Sequence, residues 1–198
     1  MESMQKKSTS RRTIIRFLGL LPLATWSLLA QGKEGSKKEK RWEVRKMASS
    51  VLRRLYRMQP GSRQAIAGSV GYAVFSNFGL KIFFAGGGSG QGLVVDNTNK
   101  RETFMKMFEL QAGIGIGIKK FSVVFVFETH DALQNFIDSG WEFGAQGTAA
   151  ATLDNKGKSY QGAISVAPDV WLYQLTDKGL ALELSAKGSK YYRDDDLN

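Results

Sequence analysis

Glycine recurs at every second position in two strand-like stretches of this chain, and that spacing limits the fold more than any other feature. Gly86, Gly88, Gly90 and Gly92 alternate within GGGSGQG, and Gly113, Gly115 and Gly117 interleave with Ile114, Ile116 and Ile118. In a strand, alternate residues share a face, so each set leaves one face without side chains. Another backbone, a ring or a helix can then approach closely. This predicts either close packing with strong sheet curvature or a shallow groove for an acyl chain or a phosphate.

The rest of the region after Val70 has the same strand texture. Val70–Phe75, Leu80–Ala85, Leu93–Asp96 and Phe121–Phe127 read as strands, and Phe104–Ile118 as one bulged strand or two. Phe143–Thr152, Ser159–Val166, Val170–Gln174 and Leu180–Lys187 continue the series. Short turns such as Asn97-Thr98-Asn99, Pro168-Asp169 and Asp177-Lys178-Gly179 join them, which favours antiparallel pairing. Asp131–Ile137 reads as a short helix, with Thr129 or His130 at its start and Gly140 past its end. Ahead of the strands, Val44, Met47, Ala48, Val51, Leu52 and Leu55 repeat at three- and four-residue steps, so Arg41–Met58 is an amphipathic helix ended by Pro60-Gly61. Ser62–Ala67 adds one helical turn, with Ser62 as its N-cap. The expected architecture is α+β. An N-terminal amphipathic helix packs on a mostly antiparallel, glycine-rich sheet, sandwich or partial barrel, with one short internal helix.

Charge is distributed unevenly. The chain carries 28 Lys+Arg against 18 Asp+Glu, a formal net charge of +10. Residues 1–32 contribute +4 and residues 33–57 contribute +7, while residues 58–198 sum to −1. The body is nearly neutral and the basic groups sit ahead of it. Partners selected by charge are therefore anionic and meet the helix. Arg41, Arg45, Lys46, Arg53, Arg54 and Arg57 are the candidate contacts, and Trp42 is placed to sit at a membrane interface.

Residues 1–32 read as an export signal. Lys6, Lys7, Arg11, Arg12 and Arg16 precede an uncharged run, Phe17–Gln31, that is shorter than the ~20 residues needed to cross a bilayer. Small residues at Ala30 and Gly32 place cleavage after Gly32. Ser10-Arg11-Arg12-Thr13 resembles a twin-arginine signal, with Arg11 and Arg12 as the pair; the general secretory route and an uncleaved, short membrane anchor are the alternatives. Residues 33–40 then form a linker, 41–190 the domain, and 191–198 an acidic tail. Asp194-Asp195-Asp196 is read as solvated, or else as a screen for the basic helix.

Catalytic patterns fail one by one. The chain has no cysteine and a single histidine, His130, so thiol nucleophiles, Cys zinc sites and multi-His metal sites are excluded within it. A dinucleotide fingerprint fails because Gln91 and Ile118 stand where the third glycine belongs. The P-loop fails at Thr152, and G-x-S-x-G fails at Gln91. His130 beside Glu128 and Asp131 reads as a helix start, since adjacent side chains diverge. No enzyme activity, cofactor or metal is expected. Nucleic acid is not expected as a partner, because the basic groups lie on the helix rather than among the aromatics.

The chain resembles the SYLF lipid-binding domain family over roughly residues 45–190. The resemblance rests on Ala65–Gly68 through Phe75, Gly86–Val95, Met107–Ile118 (MFELQAGIGIGI), Val123–Phe127 and Gly144–Ala151 (GAQGTAAA). It implies non-catalytic binding of anionic phospholipid, with a basic N-terminal helix contributing; the matching positions are the six cations named above. An actin role and a phosphoinositide preference, known in eukaryotic members, are not carried over. The resulting expectation is a periplasmic module peripherally associated with the membrane. A protein-interaction or envelope-structural module docking an acidic partner is the alternative.

Overall fold

A computed structural model describes residues 24–77, 83–84, 87–110, 121–142, 160–181 and 189–198. Three helices occur in it: α1 (Ala24–Met58), α2 (Ser62–Gly68) and α3 (His130–Ser139). Ten strands follow in chain order: β1 (Gly71–Ser76), β2 (Phe83–Phe84), β3 (Gly87–Asp96), β4 (Glu102–Leu110), β5 (Phe121–Phe127), β6 (Trp141–Glu142), β7 (Ile164–Ala167), β8 (Val170–Thr176), β9 (Gly179–Ala181) and β10 (Ser189–Arg193). They form one sheet in the order β6-β10-β4-β3-β1-β5-β8-β7, with β2 against β3 and β9 against β8. Every described pairing is antiparallel.

The expected α+β class with an antiparallel sheet holds, and the partial barrel is the form it takes. Ring distances show the curl. Tyr191 on β10 lies three strands from Phe75 on β1 and four from Phe125 on β5. In a flat sheet those separations are about 14 and 19 Å. The ring centroids are instead 4.7 and 5.1 Å apart. The sheet therefore wraps around its aromatic face, and Phe136 of α3 fills the mouth at 5.0 Å from both Phe125 and Phe127.

Glycine makes this curl possible. Gly92 pairs directly with Phe75 across β3 and β1, and a Cβ there would overlap the Cδ1 of the Phe75 ring. At Gly90 a Cβ would lie 2.6 Å from the Met107 Cε and 2.7 Å from the Ser76 carbonyl oxygen. The space over Gly90 and Gly92 is thus filled by the protein's own atoms. Over these two glycines there is no acyl groove, contrary to the expectation of a lipid-accepting, glycine-lined sheet; close packing is what these two positions encode. Gly86, Gly113, Gly115 and Gly117 lie outside the described residues, as do 111–120 and 143–159.

The other sheet face carries α1. Val44, Ala48, Val51 and Leu55 are buried against Val74, Val124, Val126 and Tyr173. The central strands are covered on both faces and read as near-continuous apolar runs, FSVVFVF in β5 and VWLYQL in β8. The amphipathic stripe expected over 41–58 is confirmed, but the helix starts earlier. Residues 33–40, expected as a linker, are helical. Ser62 does not cap α2: Gly61 holds that position, and the Ser62 hydroxyl donates to the Gln59 carbonyl. α3 begins as expected, with Thr129 Oγ1 accepting from Ala132 N at 3.4 Å and Gly140 at φ 70° past its end.

Gly92→Ala is expected to lower stability by about 1–3 kcal/mol through overpacking. Gly68→Ala is the control: nothing lies within 4 Å of its added methyl. Urea unfolding followed by far-UV circular dichroism checks both, and equal midpoints would contradict the packing role of Gly92.

Candidate functional site

Helical geometry sorts the cations of α1 into three groups. At about 100° per residue, the buried stripe Val44, Ala48, Val51 and Leu55 centres opposite Trp42, Lys46, Arg53 and Arg57. Arg41 and Arg45 fall on one flank of the stripe, and Arg54 on the other. The structure follows this arithmetic. Lys46, Arg53 and Arg57 are exposed, and Trp42 beside them is 55% accessible. The Lys46 Nζ sits 4.6 Å from the centre of the Trp42 ring, and Arg53 Nη1 donates to Ser49 Oγ at 2.7 Å. No ion pair engages these three cations among the described residues.

The flanking arginines are tied to the domain. Arg45 donates from Nε and Nη2 to Glu102 Oε2, each at 2.7 Å. Arg41 donates from Nε to the Leu197 carbonyl at 2.7 Å, and its guanidinium lies 4.0 Å from Glu34. Both guanidiniums sit over the Phe104 ring, at 6.0 Å for Arg41 and 5.2 Å for Arg45. Arg54 donates from Nη2 to the Thr176 carbonyl. Of the six candidate contacts, then, three face outward and three also hold the helix to the sheet.

Two grooves flank the helix. The first, about 450 Å³, lies on the Arg54 side. Met47, Val51 and Phe121 give it apolar walls. Lys46 and Arg54 are balanced by Glu43 and Asp177 at its rim, and Ser50, Ser76 and Ser122 offer hydroxyls. Ser122 Oγ donates to Ser76 Oγ at 2.9 Å, placed there by the direct pairing of these residues across β1 and β5. It is an amphiphilic groove of near-zero charge. The second, about 290 Å³, lies on the Arg41–Arg45 side.

The last residues are not a solvated tail. Asp194 is buried, and its Oδ1 accepts from Lys106 Nζ at 2.9 Å. Asp196 Oδ2 reaches the same ammonium at 3.3 Å. Leu197 is buried in the α1 face, while Asn198 Oδ1 accepts from Phe104 N and its Nδ2 donates to the Phe104 carbonyl. The alternative of a screen for the basic helix also gives way, because Asp194 and Asp196 neutralise β4 and α1 receives a carbonyl. The spacing of the acids carried no sign of this; only the pairing of β10 with β4 brings Lys106 within reach. Arg11 and Arg12 lie outside the described residues. No described helix is long and apolar enough to cross a membrane, and no described group of His, Asp and Glu has the makings of a metal site.

Comparison with known proteins now adds to this geometry. Residues 108–198 match the Ysc84 family, described as Las17-binding protein actin regulator. The chain is also 33% identical over 167 residues to Beta cell expansion factor A of Aeromonas veronii. That match covers 81% of this chain and 59% of the relative, so the chain spans less than two thirds of the relative's length.

The Lys106 contacts predict a pH dependence. The hydrogen bond to Asp194 holds the Lys106 pKa above its ordinary 10.5; burial opposes this, and the charges of Asp194 and Asp196 add to it. Because the folded value lies above the unfolded one, the stabilisation is complete below the ordinary value of 10.5 and is lost as pH rises through the folded value. Urea midpoints measured across the alkaline range should fall more steeply for the wild type than for Lys106→Met. Parallel curves would remove the pair from the account of stability.

Proposed function

Because this chain belongs to the Ysc84/SYLF family, a family of binding modules, we propose that it binds anionic phospholipid at a membrane surface without catalysis. The observation that carries this reading is the outward row on α1: Trp42, Lys46, Arg53 and Arg57 face solvent while the apolar stripe is used up on the sheet. Each cation near an anionic bilayer contributes roughly 1 kcal/mol. With its apolar face already buried, α1 lies on the bilayer and does not insert its own stripe. Attachment is peripheral and electrostatic, with Trp42 at the headgroup level. The amphiphilic groove beside Arg54 suits a glycerol phosphate and the start of one acyl chain.

The setting we propose is the periplasm, reached through the twin-arginine-like signal around Arg11 and Arg12. The lipids on hand there are phosphatidylglycerol, cardiolipin or lipopolysaccharide. The family description names a protein partner, which supports a second reading in which the same basic row docks an acidic protein.

Two experiments test this. The exported protein is expected to co-sediment with vesicles containing phosphatidylglycerol and not with phosphatidylcholine alone, and added salt should release it. Arg53→Glu with Arg57→Glu changes the charge by four, so binding should fall on the order of a hundredfold or more at low salt, with an unchanged unfolding midpoint. Equal binding to both vesicle types, indifferent to salt, would overturn the lipid reading; a stoichiometric complex with an acidic protein in lipid-free solution would favour the second. For export, Arg11→Lys with Arg12→Lys should leave precursor in the cytoplasm. Mass spectrometry of the exported protein should give Lys33 as its first residue, and an intact N-terminus on exported protein would refute cleavage.

A further inference from the structure

The second groove differs from the first in charge. Arg41 and Arg45 reach it from α1, Arg101 from the residue before β4, and Arg193 from the end of β10. Glu102 is the one acidic side chain among its lining residues. Glu34, half exposed, stands 4.0 Å from the Arg41 guanidinium and is not part of the lining, so within the groove four guanidiniums face one side-chain carboxylate. Arg193 has only a loose partner, Asp195 at 3.8 Å and itself 91% exposed. Arg101 has no ion pair among the described residues. Two guanidiniums crowded over one phenyl ring repel each other, and one carboxylate offsets only part of that repulsion. A concave site with such a surplus concentrates anions.

Shape and chemistry narrow the ligand. The arginines come from three separate elements, so their donors converge from different directions. Guanidinium forks bind phosphate oxygens two at a time. Forks arriving from several sides match a tetrahedral anion better than a planar carboxylate. Arg41 and Arg45 are already fixed, by the Leu197 carbonyl and by Glu102, so little ordering is left for the binding step. This groove is smaller than the one beside Arg54, and Phe104 and Leu197 are the apolar side chains among its lining residues, which favours a polar group over an acyl chain.

We propose that this pocket binds a terminal phosphate of two or more negative charges, as in a phosphomonoester or a diphosphate. It goes beyond the surface attachment of α1 and does not depend on it. The phosphate can belong to a lipid headgroup or to a soluble ester.

Calorimetric titration of the full chain with pyrophosphate tests the site. The wild type should bind, and Arg101→Ala with Arg193→Ala should weaken binding by about tenfold or more, the equivalent of one lost charged contact. Both side chains are exposed, so the fold should stand; an altered unfolding midpoint would shift the test to Arg101→Lys with Arg193→Lys, which keeps the charge and loses the forks and should still weaken binding. Arg53→Glu with Arg57→Glu should leave pyrophosphate affinity within about threefold, since those groups face elsewhere. No pyrophosphate binding by the wild type, or equal affinity in wild type and the Arg101 and Arg193 variants, overturns the proposal. Vesicles distinguish the source. A preference for phosphatidic acid over phosphatidylglycerol that disappears in the Arg101 and Arg193 variants assigns the site to a headgroup. Pyrophosphate binding without that preference assigns it to a soluble ester. Pyrophosphate binding in a chain that ignores all vesicles would sink the surface reading and leave this one standing.

Discussion

The docking of one helical stripe onto the outer face of the sheet decides everything else about the surface. Val44, Val51 and Leu55 are almost fully buried there. Burial of side chains of this kind is worth roughly 1.5–3 kcal/mol each, against about 1 kcal/mol or less for an exposed ion pair. The apolar stripe therefore sets the rotation of α1, and the charges go where that rotation sends them. Trp42, Lys46, Arg53 and Arg57 must point away from the domain. Arg41 and Arg45 must lean over one edge of the helix, toward Phe104 and Glu102, and Arg54 over the other, toward Thr176.

A sheet able to receive a helix on one face while closing over its own core on the other has to bend sharply. Phe75, Phe125, Phe127, Phe136 and Tyr191 supply the attraction, a cluster of rings with centroids 4.7 to 6.3 Å apart. Gly92 supplies the room, because the Phe75 ring lies where its side chain would be. Burial on both faces of β5 and β8 follows from the same arrangement. It leaves the rim of the helix as a place where charged side chains still reach solvent.

Much of this was legible in the sequence, for reasons that are local. The three- and four-residue repeat from Val44 to Leu55 identified the helix and its buried face. FSVVFVF gave β5 with its bounds, and Thr129 with Gly140 framed α3. The alternating glycines left close packing and a groove both open, and the contacts at Gly90 and Gly92 decide for packing there. What stayed hidden depends on pairing between distant segments. Trp141–Glu142 and Ser189–Arg193 are short and weakly patterned, and only their pairing makes them strands. The three aspartates looked like a tail because Lys106, which needs them, is about ninety residues away. Arg101 and Arg193 had no reason to be read together with Arg41 and Arg45 until β4 and β10 came to lie side by side beneath the helix. The Ser76 and Ser122 hydroxyls met for the same reason, through the register of β1 and β5.

The two basic features act on different length scales, and this separates their chemistry. From Trp42 to Arg57 the outward row runs about 22 Å at 1.5 Å per residue. That exceeds the ~8–10 Å over which charges feel one another in physiological salt. Even from Lys46 to Arg57 the cations span about 16 Å, so they act as weak contacts that add along a surface carrying many anions, and no single small ion can satisfy all three together. The groove above Phe104 is the opposite case. Four guanidiniums share about 290 Å³, well within a screening length, so each one raises the potential felt by the others. Such a site is served by one ion bearing several charges. The two proposed uses thus rest on different physics: an extended row of cations suits a surface dense in charge, and a compact groove suits a single group of high valence.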